Sequence, residues 1–277
     1  MVKRRRPKLG QHFLSDTRYC SRIVDALELR ADDLVIEIGP GHGAMTGLLA
    51  ARARGVVAIE VDPGLVDELR QKFQEAPKVE IIHGDVLLTD LGSICRRHGV
   101  GECHVFGNIP YYITSPIIHH VLGFARHVRA MGLLVQREVA DRLVAQPGTR
   151  DYGYLTVFTR LYSSPRRVLH IPPGAFSPPP KVHSALVRFE VRAGDQSVSS
   201  ENVEEFLGFL KQSFAYKRKK FLNCLSPIYP RQRVEQELER LGLPLGVRAE
   251  QLSLEQLVAV FSNLRQGAEW PWAGAVR

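Results

Sequence analysis

The feature that most constrains the fold is an apolar run that leads directly into a glycine-rich turn. Residues 34–38 are apolar apart from Glu37, and Gly39-Pro40-Gly41-His42-Gly43 follows them at once. A continuous apolar run is typical of a parallel strand buried on both faces. Glycines after such a strand let the backbone approach a ligand and direct N–H groups at it. The pattern predicts an open α/β sheet with a ligand site at the carboxyl end of this strand.

Alternating strand and helix patterns extend this prediction along the chain. Further strands are predicted at residues 56–60, 79–82, 104–106 and 132–136, and helices at 44–52, 63–73, 114–124 and 138–145. Such alternation indicates a doubly wound α/β sheet. Two more strands, 168–171 and 184–189, are joined by a proline-rich loop and are predicted to form an antiparallel edge of that sheet.

The pattern changes after a polar, serine-rich stretch at residues 191–200. Helical spacing then dominates, over residues 201–214, 217–225, 231–241 and 253–264. The sequence therefore predicts a basic N-terminal arm (1–16), an α/β domain (17–195) and a helical C-terminal domain (196–277).

The net charge of +8 favours a polyanionic partner such as nucleic acid. No apolar stretch reaches the length of a membrane span, and no apolar region follows the basic N-terminus, so we expect a cytoplasmic protein without a signal peptide or a membrane partner. The cysteines Cys20, Cys95, Cys103 and Cys224 show no C-x-x-C spacing. We interpret them as free thiols and expect no metal site.

Carboxylates occur at or near the ends of three successive strands. They are Glu37, Glu60 and Asp85. Residues 39–44 also satisfy the dinucleotide pattern G-x-G-x-x-G/A, so the glycine turn alone does not separate NAD from S-adenosylmethionine. Three acids would repel the two phosphates of a dinucleotide, whereas they suit an adenosyl ligand with a positive sulfonium. The alternatives are structural: Glu37 pairs with an arginine, and Asp85 caps a turn.

A second constellation follows the strand at 104–106, in Asn108-Ile109-Pro110-Tyr111. The amide oxygen of Asn108 and the backbone carbonyl of Pro110 could accept both hydrogens of a flat exocyclic amine, while Tyr111 stacks on the heterocycle. The alternative is an ordinary strand-end turn, because Asn and Pro are common turn formers. The rigid loop 172–180 is expected to project Phe176 onto the other face of the same heterocycle. For Phe176 the alternative is a buried loop anchor.

With these residues in place, the sequence resembles the KsgA/Dim family of ribosomal RNA adenine N6-dimethyltransferases. The resemblance spans nearly the whole chain, and its motifs are Gly10-Gln11-His12-Phe13-Leu14, Glu37-Ile38-Gly39-Pro40-Gly41, Glu60-Val61-Asp62, Gly84-Asp85-Val86-Leu87, Asn108-Ile109-Pro110-Tyr111-Tyr112, Gln136-Arg137-Glu138-Val139-Ala140, Phe176-Ser177-Pro178-Pro179-Pro180-Lys181-Val182, Phe214-Ala215-Tyr216-Lys217-Arg218-Lys219-Lys220 and Gln251-Leu252-Ser253-Leu254-Glu255. The Asn-Ile-Pro-Tyr block is shared by many amino-methyltransferases, whereas the late basic block is more specific to this family.

The resemblance implies a Rossmann-like class I methyltransferase sheet with a small all-helical C-terminal domain. The implied reaction is dimethylation of the N6 amines of two adjacent adenines in a loop near the 3′ end of 16S rRNA, with S-adenosyl-L-methionine as cofactor. The implied partner is 16S rRNA within an immature 30S subunit, with a role in small-subunit biogenesis and a monomeric enzyme.

By resemblance, the catalytic residues are Asn108, Pro110, Tyr111 and Phe176. The resemblance also implies that the cofactor touches His12, Leu14, Gly39, Glu60, Asp85 and Asn108. Their neighbours Gln11, Glu37, Gly41, Val61 and Val86 complete the set of candidate cofactor-binding residues. His12 stands where the family commonly has Asn, and both side chains can form hydrogen bonds.

Basic residues in three segments are candidates for RNA binding: Arg4, Arg5, Arg6, Arg166, Arg167, Lys217, Arg218, Lys219 and Lys220. Ordinary solvated charge is the alternative for each segment. Three other functions stay open at this point. One is a macrolide-resistance Erm methyltransferase acting on large-subunit RNA. Another is an RNA-binding assembly or transcription factor with a vestigial cofactor pocket, and the last is an NAD-dependent oxidoreductase.

Overall fold

Strands and helices alternate through the first half of the chain, as the hydrophobic pattern predicts. The computed structural model describes residues 12–192 and 198–266, without the side chains of Tyr111 and Ser200. Its strands are β1 (Phe13–Leu14), β2 (Leu34–Ile38), β3 (Gly55–Glu60), β4 (Val79–His83), β5 (Cys103–Asn108), β6 (Val128–Gln136), β7 (Ser163–Ile171), β8 (Phe176–Ser177) and β9 (Ser184–Val191). Its α-helices are α1 (Thr17–Leu27), α2 (Thr46–Arg52), α3 (Pro63–Lys72), α4 (Leu91–Arg97), α5 (Thr114–Gly123), α6 (Arg137–Val144), α7 (Tyr154–Tyr162), α8 (Val203–Ser213), α9 (Phe221–Leu225), α10 (Arg231–Arg240) and α11 (Leu254–Arg265).

The main sheet has the strand order β4-β3-β2-β5-β6-β9-β7. The five neighbouring strands β4, β3, β2, β5 and β6 are parallel, and β9 pairs antiparallel to β6. The predicted antiparallel addition is confirmed, with β9 placed between β6 and the outermost strand β7. Strands β3 and β4 are added on one side of β2, and β5 and β6 are added on its other side, so the strand order reverses between β2 and β5. A cleft is expected at this switch point, beyond the carboxyl ends of the strands.

A small two-stranded sheet lies apart from the main one and involves the start of the described chain. In it β1 pairs antiparallel with β8, with Phe13 opposite Ser177 and Leu14 opposite Phe176. The backbone N–H of Ser15 extends the pairing by donating to the Ala175 carbonyl at 2.9 Å. We call residues 12–15 the strap, because these bonds attach them to the segment that carries β8.

The structure divides into two units, Met1–Ala140 with Pro165–Val191, and Asp141–Ser164 with Arg192–Arg277. The second unit has its own aromatic core, in which the Phe261 ring lies 5.1 Å from that of Phe206 and 5.5 Å from that of Phe209. The phenol of Tyr152 donates to the Leu252 carbonyl at 2.8 Å within this unit.

The predicted domain boundary therefore needs a correction. The sequence pattern places residues 141–164 in the α/β domain, whereas in the structure they belong to the second unit. The physical reason is that α7 contributes Val157 and Leu161 to the core of that unit, together with α8 to α11. The predicted end of the α/β domain at 195 is close to the observed division after Val191.

Candidate active site

A cavity of about 620 Å³ lies in the first unit, at the carboxyl edge of the main sheet. It is lined by residues of the strap, the glycine turn and the segments that follow β3, β4 and β5. The residues predicted from the sequence that line it are His12, Leu14, Glu37, Gly39, Gly41, Glu60, Val61, Asp85, Val86, Asn108 and Pro110. Residues that are far apart in the chain thus meet at the predicted switch point.

The carboxylate of Glu60 stabilises the glycine turn and the start of the segment after β3. Glu60 accepts hydrogen bonds from the backbone N–H groups of Gly41 (3.3 Å), Val61 (2.9 Å) and Asp62 (3.0 Å). Gly41 has a φ of +57°, a left-handed conformation that favours glycine. A Cβ atom built there would lie 2.7 Å from the Phe13 ring, so the strap covers the turn closely.

Glu37 is a buried carboxyl group in the cavity lining. The hydroxyl of Thr46 donates to it at 2.6 Å. The pKa of Glu37 is raised from 4.5 to about 7. Burial is the largest cause and the nearby Glu60 charge adds to it, while the Thr46 hydrogen bond and the Lys72 charge act in the opposite direction. The alternative in which Glu37 pairs with an arginine does not occur among the described residues. A cation entering the cavity would favour the ionised form of this carboxyl group.

This pKa predicts a pH-dependent stability that Glu37→Gln should remove. Between pH 4.5 and about 7 the folded state holds more protons on Glu37 than the unfolded state does. The free energy of unfolding must therefore fall as the pH rises through this window, by about 3 kcal/mol from this group alone. Glutamine keeps an oxygen for Thr46 but does not ionise. Urea unfolding of both proteins from pH 4.5 to 8 should show the difference changing in this direction, and a difference independent of pH would contradict it.

Asp85 follows β4 and is exposed at the cavity edge. One of its carboxylate oxygens accepts the backbone N–H of Leu87 at 2.9 Å, and this bond caps a short 3₁₀ helix over Val86–Leu88. The capping role considered from the sequence is thus present. The same carboxylate has a second oxygen, and the cavity lining that includes Asp85 also contains the apolar side chains of Val61 and Val86. An acceptor beside an apolar surface suits the amine of a flat heterocycle.

Asn108 ends β5 and is half-buried at the cavity wall. Its amide nitrogen donates to the backbone carbonyl of His12 at 3.0 Å. A carbonyl only accepts, so this bond assigns the nitrogen to the strap side and leaves Oδ1 as the acceptor. The Pro110 carbonyl accepts the Ile113 N–H at 3.2 Å and retains a second lone pair.

Two aromatic predictions have different outcomes. Phe176 is 4% exposed and packs in a core cluster with Leu14 and Ile171, outside the cavity lining. The expectation that the loop projects this ring is therefore wrong, because pairing of β8 with the strap turns the ring into the core. The side chain of Tyr111 lies outside the described residues, as does Gln11.

Sequence reasoning missed three residues of the site. They are Thr46, Phe13 and Tyr112. The Thr46 hydroxyl donates a hydrogen bond to Glu37, and the Phe13 ring lies 4.6 Å from the His42 ring. Tyr112 lines the cavity and is 66% exposed. Phe13 and Tyr112 stand inside motifs quoted for the resemblance, so their position beside named residues was an available signal. No spacing in the sequence marks Thr46 as the partner of Glu37.

The predicted RNA-binding residues that the structure describes belong to two segments, β7 and the turn between α8 and α9. Arg166 and Arg167 are exposed on β7, where Arg166 pairs with Glu190 at 3.3 Å. Residues 217–220 are exposed in the turn between α8 and α9, and the Lys219 ammonium lies 4.1 Å from the centre of the Tyr216 ring. Arg4, Arg5 and Arg6 lie outside the described residues.

The chain is similar in sequence to proteins that are named as rRNA methyltransferases. A family model described as "Ribosomal RNA adenine dimethylase" matches residues 2–266. A protein of Acidobacterium capsulatum named "Ribosomal RNA small subunit methyltransferase A" is 42% identical over 94% of this chain and 91% of its own length. A protein of the same name from Synechococcus elongatus is 39% identical, over 94% of this chain and 95% of its own length.

Two solved structures resemble the fold over most of its length. The crystal structure of the 23S rRNA methyltransferase ErmE superimposes with a TM-score of 0.70 at 32% identity, covering 91% of this chain and 99% of that one. A dimethyladenosine transferase of Plasmodium falciparum gives a TM-score of 0.77 at 24% identity, covering 92% and 98% of the two chains. The second likeness concerns the fold alone.

Proposed function

The chain belongs to the ribosomal RNA adenine dimethylase family, and on this premise we propose that it methylates two adjacent adenines near the 3′ end of small-subunit rRNA. The fold is the class I methyltransferase fold, and the enzyme is an S-adenosyl-L-methionine-dependent rRNA adenine N6-dimethyltransferase. Membership of this family favours S-adenosylmethionine over NAD as the ligand of the glycine turn. It also favours an active enzyme over a binding protein with a vestigial cofactor pocket.

The cavity suits this cofactor on its own chemistry. It holds a buried carboxyl group, Glu37, whose raised pKa indicates that no cation among the described residues fully compensates it. Glu60 and Asp85 add two more acids to the lining. Such a set favours a ligand that carries a positive sulfonium and an ammonium group and no phosphate. When bound, S-adenosylmethionine supplies a methyl group on a positively charged sulfur as the electrophile.

We assign the activation of the target amine to Asn108 and Pro110. The N6 lone pair of adenine is delocalised into the ring, which makes this nitrogen a poor nucleophile. Acceptance of its two hydrogens by Asn108 Oδ1 and the Pro110 carbonyl favours a tetrahedral nitrogen with a localised lone pair. The same two oxygens stabilise the positive charge that develops on nitrogen during in-line transfer. Tyr111 is proposed to stack on the adenine, which must leave its helix to enter the cavity.

The observation that carries the small-subunit assignment is the identity of the curated relatives. Those named for the small subunit reach 42% identity, whereas the large-subunit enzyme ErmE reaches 32%. The exposed basic block at residues 217–220 is consistent with a polyanionic substrate. We further propose that the enzyme acts in the cytoplasm, as a monomer, on an immature 30S particle. Within the described residues, every helix is too short or too polar to cross a bilayer.

The test is methylation of unmodified 30S and 50S particles with labelled S-adenosylmethionine. We expect label in 30S particles only, on two adjacent adenines near the 3′ end, recovered as N6,N6-dimethyladenosine on mass spectrometry of the nucleosides. Label in 50S particles would identify an Erm-type enzyme instead. A catalytically inactive variant, tested for its effect on subunit assembly, separates a role in biogenesis from methylation itself.

A further inference from the structure

The orientation of the Asn108 amide depends on one hydrogen bond to the strap. An amide side chain can rotate by half a turn, which exchanges its oxygen and its nitrogen. In the structure the nitrogen donates to the backbone carbonyl of His12 at 3.0 Å. If that carbonyl moved away, the amide would lose the contact that presents its oxygen to the cavity. A rotated amide would point N–H groups at an amine that also carries N–H groups.

The position of this carbonyl is itself set by the His12 side chain. The Nδ1–H of His12 donates to the backbone carbonyl of Pro178 at 2.8 Å, directly after β8. The next residues of the strap, Phe13 and Leu14, pair with Ser177 and Phe176. His12 is therefore attached through its own ring as well as through the following strand pairing. We propose that His12 is a positioning residue, which holds its main-chain carbonyl where it orients Asn108 for methyl transfer.

The side-chain chemistry explains how histidine can replace the asparagine common at this position. Nδ1 of histidine and Nδ2 of asparagine are both attached directly to Cγ, so each places an N–H at the same number of bonds from the backbone. Either residue can therefore donate to the Pro178 carbonyl. Phenylalanine retains a flat ring of similar size and lacks the donor.

This inference rests on the proposed function and is tested by comparing His12→Phe with His12→Asn in the full chain. We expect His12→Phe to lower the single-turnover rate of methyl transfer by about tenfold or more, as expected for a misplaced catalytic group. The rate of His12→Asn should stay within about threefold of the wild-type rate. The single-turnover rates are compared at saturating S-adenosylmethionine, because His12 also lines the cofactor cavity. Affinity for S-adenosylhomocysteine, measured by calorimetry, reports the contact of His12 with the cofactor separately.

The matched control is His127→Phe. The Nδ1–H of His127 donates to the Gly101 carbonyl at 3.1 Å, so the same type of bond is lost away from the cavity lining. Its rate should equal that of the wild type. A wild-type rate for His12→Phe, an equally slow His12→Asn, or a loss confined to cofactor affinity would each overturn the positioning role. A wild-type protein that labels no rRNA would instead overturn the proposed function.

Discussion

Replacement of Asn108 by alanine should lower the single-turnover rate of methyl transfer by a factor of about 10²–10³, as is found when one preorganised polar group of an active site is removed. The variant loses the acceptor oxygen that the His12 contact presents to the cavity. The Pro110 carbonyl alone can accept only one of the two N6 hydrogens. The nitrogen lone pair then stays delocalised in the ring, and the developing positive charge loses one of its two nearest oxygens.

Cofactor affinity separates this role from a structural one. Asn108→Ala removes one hydrogen bond of a half-buried side chain, which costs about 1 kcal/mol of the free energy of unfolding. The glycine turn, Glu60 and Asp85 are unchanged, so titration with S-adenosylhomocysteine should give a dissociation constant within about threefold of wild type. Thermal unfolding checks that the variant is folded. Rapid single-turnover transfer by a folded Asn108→Ala protein would remove this residue from the mechanism.

The central strands could be predicted closely from the sequence. The strand at 34–38 has the observed bounds, because a strand buried on both faces needs apolar residues almost throughout. The glycines then mark the turn and therefore the ligand-binding edge. The assignment of residues 141–164 failed for a different reason. Local periodicity shows that a helix has an apolar face, but it does not show which of two cores that face joins.

The candidate site shows the same limit at single residues. Acids at strand ends could be placed together, since parallel strands bring their carboxyl ends to one edge of a sheet. The expectation that Phe176 projects from its loop is wrong, because the burial of this ring depends on the pairing of β8 with the distant strap. The bond from Asn108 to His12 also joins distant segments. Such contacts follow from the closed fold and leave no local pattern in the chain.

The second large effect is expected for the basic block at residues 217–220, which is exposed in the turn between α8 and α9. Replacing all four residues with glutamine should weaken RNA binding by about 10²-fold at 50 mM salt, since each phosphate contact releases a condensed counterion. The slope of log affinity against log salt should become shallower by about 3. These side chains are exposed on the surface of the second unit. Their replacement should therefore change the free energy of unfolding little.

Two other arginines of the same unit provide the matched control. Arg231 and Arg240 are exposed on α10, where they pair with Glu235 at 2.8 Å and Glu237 at 2.9 Å. Their charges are already offset by neighbouring carboxylates, so glutamine at both positions should leave the salt slope nearly unchanged. Filter binding of small-subunit rRNA from 50 to 300 mM salt gives both slopes. If the control lowered the slope as much per charge as the 217–220 variant, binding would depend on net charge and not on this block. An unchanged slope in the 217–220 variant would exclude the block from the RNA interface.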